Sequence, residues 1–176
     1  MKRYLFALVF MAFTTIVMAQ DIRYGIRAGF NISNLNFDPD PTFENQHRNG
    51  FAFGGFVDFG LTEEVSVYTE LQWSAEGGKD ESIRADYINL PILLRVATSQ
   101  RLTLGAGPQL ALKTWQDRDG FATFAVSGVI GAEYMITDEL FVDTRLSFGL
   151  SNILDQDLED NKAINNVIQF GFGMKL

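Results

Sequence analysis

Apolar and polar side chains alternate along most of this chain. Over residues 140–150, Leu140, Val142, Thr144, Leu146, Phe148 and Leu150 fall on alternate positions, with Phe141, Asp143, Arg145, Ser147 and Gly149 between them. A period of two marks a strand whose two faces meet different surroundings. Residues 122–136 repeat the pattern, with Phe124, Val126, Ile130 and Tyr134 opposed by Thr123, Ser127, Gly131 and Glu133. Thr137-Asp138-Glu139 links the two runs as a tight polar turn, which makes them a hairpin.

The rest of the chain repeats that hairpin. The alternation predicts strands over residues 22–32, 51–61, 65–76, 87–96, 102–112, 122–136, 140–150 and 168–176, eight in all. Phe56 falls on the wrong face, and Pro91 sits inside a predicted strand although it cannot donate to a ladder. Links alternate in length. Residues 34–49, 77–84, 113–120 and 152–165 are long and polar, whereas 62–64, 98–100 and 137–139 are short.

These features predict an all-β fold, an eight-stranded antiparallel up-and-down transmembrane β-barrel. Strands of about 11 residues match a tilted crossing of a bilayer, while ordinary strands average about 5–6. Long outer loops and short periplasmic turns are typical of outer-membrane barrels. One face is nearly all Ile, Leu, Val, Phe and Ala, with Tyr24, Trp73 and Tyr134 placed to meet interfaces. The other carries Arg23, Arg27, Asp58, Glu70, Glu76, Arg95, Glu133, Asp143, Arg145 and Lys175, five acids and five bases. Such a balanced set suits a narrow lumen, where a lone charge is costly and a neutralised network is tolerated. The alternative is a secreted, lipocalin-like barrel that turns its apolar face inward around an apolar ligand.

Composition adds a destination. Lys2 and Arg3 precede an apolar run over residues 5–17, and Val17-Met18-Ala19 offers a cleavage site after Ala19. Residues 1–19 are therefore expected to be a signal peptide and 20–176 one barrel domain. Removing Lys2 and Arg3 from 14 basic residues leaves 12 against 22 acidic ones, a net charge of −10. That balance argues against nucleic acid as a partner. The chain has no Cys, so an exported form relies on no disulfide.

Several stretches resemble the PorT-like outer-membrane β-barrel family. They are residues 25–34 (GIRAGFNISN), Glu70-Leu71-Gln72-Trp73-Ser74 with Gly77-Gly78, residues 86–95 (DYINLPILLR) and Gly105-Ala106-Gly107-Pro108. The Tyr-Ile-x-x-Pro stretch containing Pro91 is the most specific, and Asn89 stands where an acid is common in the family. The resemblance spans essentially the whole mature chain. It implies the outer membrane of a Gram-negative bacterium, contact with its lipids, and for some members a part in protein secretion. It assigns no activity.

Candidate chemistry is sparse. His47 is the only histidine and lies in the first long loop, without a placed partner. Glu70 and Glu133 form a conceivable carboxylate pair for hydrolysis, but equal numbers of bases accompany them. Asp155, Asp157, Glu159 and Asp160 offer oxygen ligands for Ca²⁺ but lack the turn glycine of an EF-hand loop. No catalytic, cofactor or metal site is assigned from the sequence. The expected protein is a non-enzymatic single barrel that meets envelope or secretion proteins through its outer loops, residues 35–49 and 152–165, or its periplasmic turns.

Overall fold

The computed structural model describes residues 21–114, 120–154 and 162–176. The predicted signal peptide lies outside them. Eight strands follow one another in chain order: β1 (Ile22–Asp38), β2 (Arg48–Gly60), β3 (Val65–Gly77), β4 (Arg84–Ala97), β5 (Leu102–Lys113), β6 (Phe124–Met135), β7 (Leu140–Gly149) and β8 (Lys162–Lys175). Each pairs with the next, and β1 pairs antiparallel with β8 from Gly25↔Lys175 to Asp38↔Lys162, closing the barrel. Closure leaves no edge strand, so the sheet satisfies its own backbone groups in lipid.

The faces divide as the alternation predicts. Tyr24, Ile26, Phe53, Leu71, Leu94, Phe124, Phe170 and Phe172 are exposed on the outside. Asn31, Glu70, Gln72, Asn89 and Arg95 are buried inside. A lipocalin-like carrier needs the reverse arrangement.

The three short turns share one device. The hydroxyls of Thr62, Ser99 and Thr137 accept hydrogen bonds from the backbone N–H three residues on, at Val65, Leu102 and Leu140, over 2.9–3.0 Å. Backbone bonds of 2.8 Å from Leu61, Thr98 and Ile136 to the carbonyls of those same residues close each turn. Side-chain hydroxyls that mimic a backbone acceptor make such turns self-sufficient.

Three expectations need correction. The first concerns β1 and β8, which run beyond the predicted 22–32 and 168–176 to Asp38 and back to Lys162. Above Ile32 the polarity inverts. Leu35 and Ala163 are fully buried inside, while Asn34, Asn36, Asp38 and Lys162 face out. The first long loop is therefore shorter than residues 34–49. The second concerns Pro91, for which a strand proline suggests an edge or a bulge: it marks no edge, and the ladders are interrupted around it instead. The β3–β4 pairing steps from Thr69↔Ile92 to Gln72↔Asn89, and the β4–β5 pairing from Pro91↔Gln109 to Leu94↔Ala106. Pro91 and Pro108 thus occupy a local gap in the ladders, with Pro91 buried. The third concerns Ala75, which shares the parity of Leu71 and Trp73 on the apolar face of its strand and so is expected to be exposed, yet is buried.

Candidate functional site

Alternation on all eight strands brings polar side chains into one lumen. At its centre Arg27 of β1 donates through Nε to Asp143 of β7 at 2.6 Å and through Nη1 to Gln169 of β8 at 2.7 Å. Its second fork atom closes a bidentate pair with Asp143. Arg145 donates to Glu70 at 2.6 Å and to the Tyr68 hydroxyl at 2.9 Å. Tyr68 in turn donates to Glu70 at 2.7 Å, and Gln72 donates to the other Glu70 oxygen at 2.9 Å. A carboxylate held by that many donors is a structural anchor, because its lone pairs are occupied.

A second cluster lies toward the short turns. Arg95 reaches Asp58 at 3.1 Å and Glu133 at 2.6 Å, and Lys175 reaches Glu133 at 2.7 Å. The Arg95 and Arg145 guanidinium carbons stand 5.0 and 5.1 Å from the Tyr68 ring centroid, so one ring joins the two clusters. Phe56 stacks on Tyr68 with centroids 5.1 Å apart and meets Phe141 edge-on. Its off-pattern position in the sequence is thereby explained. It fills the lumen, and with Leu93 and Val129 it forms an apolar layer inside the barrel.

Glycines make room for this packing. A Cβ on Gly171 would stand 2.5 Å from the Arg27 guanidinium, so only a hydrogen there lets the guanidinium lie flat against β8. A barrel of about eight strands has an interior just wide enough for side chains, and small residues decide where the long ones fit.

The predicted network of five acids and five bases is realised as four and four. Arg27, Arg95, Arg145 and Lys175 pair with Asp58, Glu70, Glu133 and Asp143. Arg23 is a correction: its side chain is 58% exposed at the mouth and pairs with Asp21 at 2.7 Å. Glu76 is another. It is buried, yet no Lys or Arg of the described residues pairs with its carboxylate. The Asn89 and Asn165 amides donate to it instead, each at 2.6 Å.

Above Glu76 the lumen turns apolar. Leu35, Ile83, Tyr87, Phe121 and Ile153 form a buried cluster at the long-loop end, with Phe37 and Leu154 against it. Two cavities lined in part by these layers measure about 20 Å³ each. Each has room for about one water. A larger recess of about 380 Å³, lined in part by Asp58, Arg95 and Lys175, opens at the short-turn end.

The sequence candidates do not converge. Glu70 and Glu133 belong to separate ion-pair clusters. His47 is exposed, in an isolated bridge with Gly78. Asp155, Asp157, Glu159 and Asp160 lie outside the described residues. Among the described residues no cluster of His, Cys, Asp and Glu has the makings of a metal centre. Sequence reasoning missed Tyr68, the hub of the lumen, although it shares the inner parity of Glu70 and Gln72.

A closed barrel, apolar outside and ion-paired inside, is the architecture of an outer-membrane span. The family model described as outer membrane protein beta-barrel domain matches residues 18–155. The chain belongs to that family. Among solved structures, this outer-membrane barrel is similar to Ail, the attachment invasion locus protein of Yersinia pestis. Identity there is 12%, with 88% of this chain and 99% of that chain covered and a TM-score of 0.52. It is also similar to Neisserial surface protein A, at 10% identity, 87% and 97% coverage and a TM-score of 0.58. At such identities the likeness concerns the fold. A search of curated proteins finds no match.

Proposed function

We propose that this protein is a non-catalytic interaction protein of a Gram-negative outer membrane, acting as a single barrel through its long-loop end. The observation that carries this reading is the polarity inversion at the top of β1 and β8. Past the lipid-facing band β1 continues with Leu35 and Phe37 inward and Asn34, Asn36 and Asp38 outward, and β8 adds Ala163 inward and Lys162 outward, although Ile164 stays exposed beside Asn36. The long-loop end is thus built on paired strands over its own apolar core. A supported, water-facing platform suits contact with a partner, because little ordering entropy remains to be lost on binding.

The lumen supports the same reading from the other side. Both carboxylates with a conceivable hydrolytic role are held in ion pairs, and side chains fill the interior. Crosslinking in intact cells, followed by detergent extraction, tests the proposal. A stoichiometric envelope or surface partner joined through residues 34–49 or 152–165 is the expected result. Crosslinks to lipid alone would refute it.

A second reading rests on the PorT-like stretches, above all residues 86–95 around Pro91. On that reading the barrel is a component of a secretion machine, and crosslinks fall on the periplasmic turns. Loss of the gene then leaves cargo proteins in the periplasm, whereas the first reading predicts normal secretion.

A further inference from the structure

At the short turns the lumen ends in the recess of about 380 Å³, within the roughly 300–1,000 Å³ of small-ligand sites. Its walls are preformed. On one side the Gly60 N–H donates to the Asp21 carbonyl at 3.0 Å, and on the other the Ala97 N–H donates to the Glu64 carbonyl at 2.7 Å. The Thr62 hydroxyl holds the turn between them. Little ordering cost therefore remains for a guest.

Charge around the recess is not balanced. Its three bases are already taken: Arg23 by Asp21 at 2.7 Å, Arg95 by Asp58 at 3.1 Å and Glu133 at 2.6 Å, and Lys175 by Glu133 at 2.7 Å. Glu63 and Glu64 stand exposed on the rim, and no Lys or Arg of the described residues pairs with either. A second observation lies at the floor. Asp58 is 7% exposed; its Oδ2 accepts from Arg95, but among the described residues no donor reaches Oδ1. Asp58 lines this recess and neither of the two small cavities. A buried charged oxygen without a hydrogen bond is costly until a donor arrives.

We propose that the recess receives one basic side chain, lysine or arginine, from a polypeptide segment in the periplasm, with its cationic head on Asp58 Oδ1 and its charge balanced by the rim acids Glu63 and Glu64. Charge and shape select that class. An anion would meet unpaired carboxylates at the rim and bases that are already neutralised below. A bare metal ion lacks ligands, since no three acids or histidines of the described residues come together to hold one. An apolar ligand would strand the charged floor. Val65 and Ala97 offer apolar wall to a methylene stem, which long basic side chains bury while the charged head reaches polar groups. The recess opens at the mouth, so the backbone that carries the side chain stays outside, against the turns. This contact lies at the opposite end of the barrel from the long-loop platform and does not depend on it.

The test is an NMR titration of the full refolded barrel in detergent at fixed ionic strength. The probes are a capped glycine–lysine–glycine peptide and the same peptide with uncharged norleucine in place of lysine. The amides of Ser66 and Thr103, on the recess wall, should shift saturably with the lysine peptide alone. Glu63→Gln with Glu64→Gln changes only exposed turn positions, so the barrel should fold and bind about tenfold more weakly, the order of one charged hydrogen bond. Asp58→Asn should weaken binding likewise, and the turn variant decides alone if Asp58→Asn does not fold. Neutralising Asp138 and Glu139, in another short turn at the same end, should leave binding unchanged. A response that never saturates, or one that the norleucine peptide reproduces, would overturn the proposal. So would a folded Asp58→Asn barrel of full affinity. Equal losses from the two turn variants would show diffuse attraction to an acidic mouth and would overturn it as well.

Discussion

Arg145→Ala tests whether the lumen is held by charge pairing. In the wild-type barrel the guanidinium donates to Glu70 at 2.6 Å and to Tyr68 at 2.9 Å, and it lies over the Tyr68 ring. Truncation leaves Glu70 buried without its closest cation. Removing one partner of a buried pair costs about 3–5 kcal/mol, chiefly because the other charge stays behind. Glu70 is not wholly abandoned. Tyr68 and Gln72 still donate to it, and Arg27 remains 3.9 Å away. The loss should therefore fall at the low end, about 3 kcal/mol.

The assay is urea unfolding of the barrel in detergent, read from the mobility of unheated samples on gels. Adding Glu70→Gln to Arg145→Ala removes the stranded charge and should recover part of the loss. The double-mutant cycle should then show a coupling of about 0.5–3 kcal/mol. An unchanged midpoint for Arg145→Ala, or strictly additive substitutions, would refute the network as an energetic unit.

Three further outcomes follow from the packing. Gly173→Ala would place a Cβ 2.3 Å from the Phe141 ring and 2.7 Å from the Ile26 carbonyl, and should cost about 1–3 kcal/mol by overpacking in the same unfolding assay. Leu71→Arg, on the lipid face at the middle of β3, should cost about 2–4 kcal/mol in lipid vesicles, while Glu63→Arg in a turn should cost nothing measurable. In the loop after β3, the backbone N–H and hydroxyl of Ser82 hold the Asp80 carboxyl below its ordinary range. A lowered folded-state value means the cap is fully present above the ordinary aspartate value and fails as pH falls through the depressed one. NMR of the Ser82 amide should show that late loss, and an ordinary aspartate titration would contradict it.

The eight strands were legible because period-two alternation, even strand count and alternating loop lengths all point to one architecture. Where alternation runs on an unchanged face, the predicted limits hold closely, as in β5 and β7. They fail where the face changes. Ile32 is the last apolar residue of the outer set in β1, and Leu35 and Phe37 belong to the inner one. A shift by one position in the apolar register looks like a strand end in sequence, yet the backbone continues unbroken. The charge network was legible as a set but not as pairs. Parity gives the face of a residue, not its depth, so Arg23 and Arg27 look equivalent although one lies at the mouth and the other at the centre. Pairing across a barrel depends on shear and tilt, which no single strand records.

The inversion in β1 and β8 also bears on how the molecule divides its work. Between the turns and Ile32 the outside must dissolve in lipid, so polar groups go inward and must satisfy one another. Above Ile32 the outside meets water, so the same strands can bury Leu35, Phe37 and Ala163 and present asparagines and charges. Each half is locally consistent, and the change of solvent marks the edge of the membrane more sharply than any single aromatic does. It follows that the two halves answer differently to mutation. A polar residue at Leu35 should loosen the cap while the spanning barrel persists, because the ion pairs below do not depend on it. A platform that can be disturbed without unfolding its anchor is the arrangement that a surface-contact role requires.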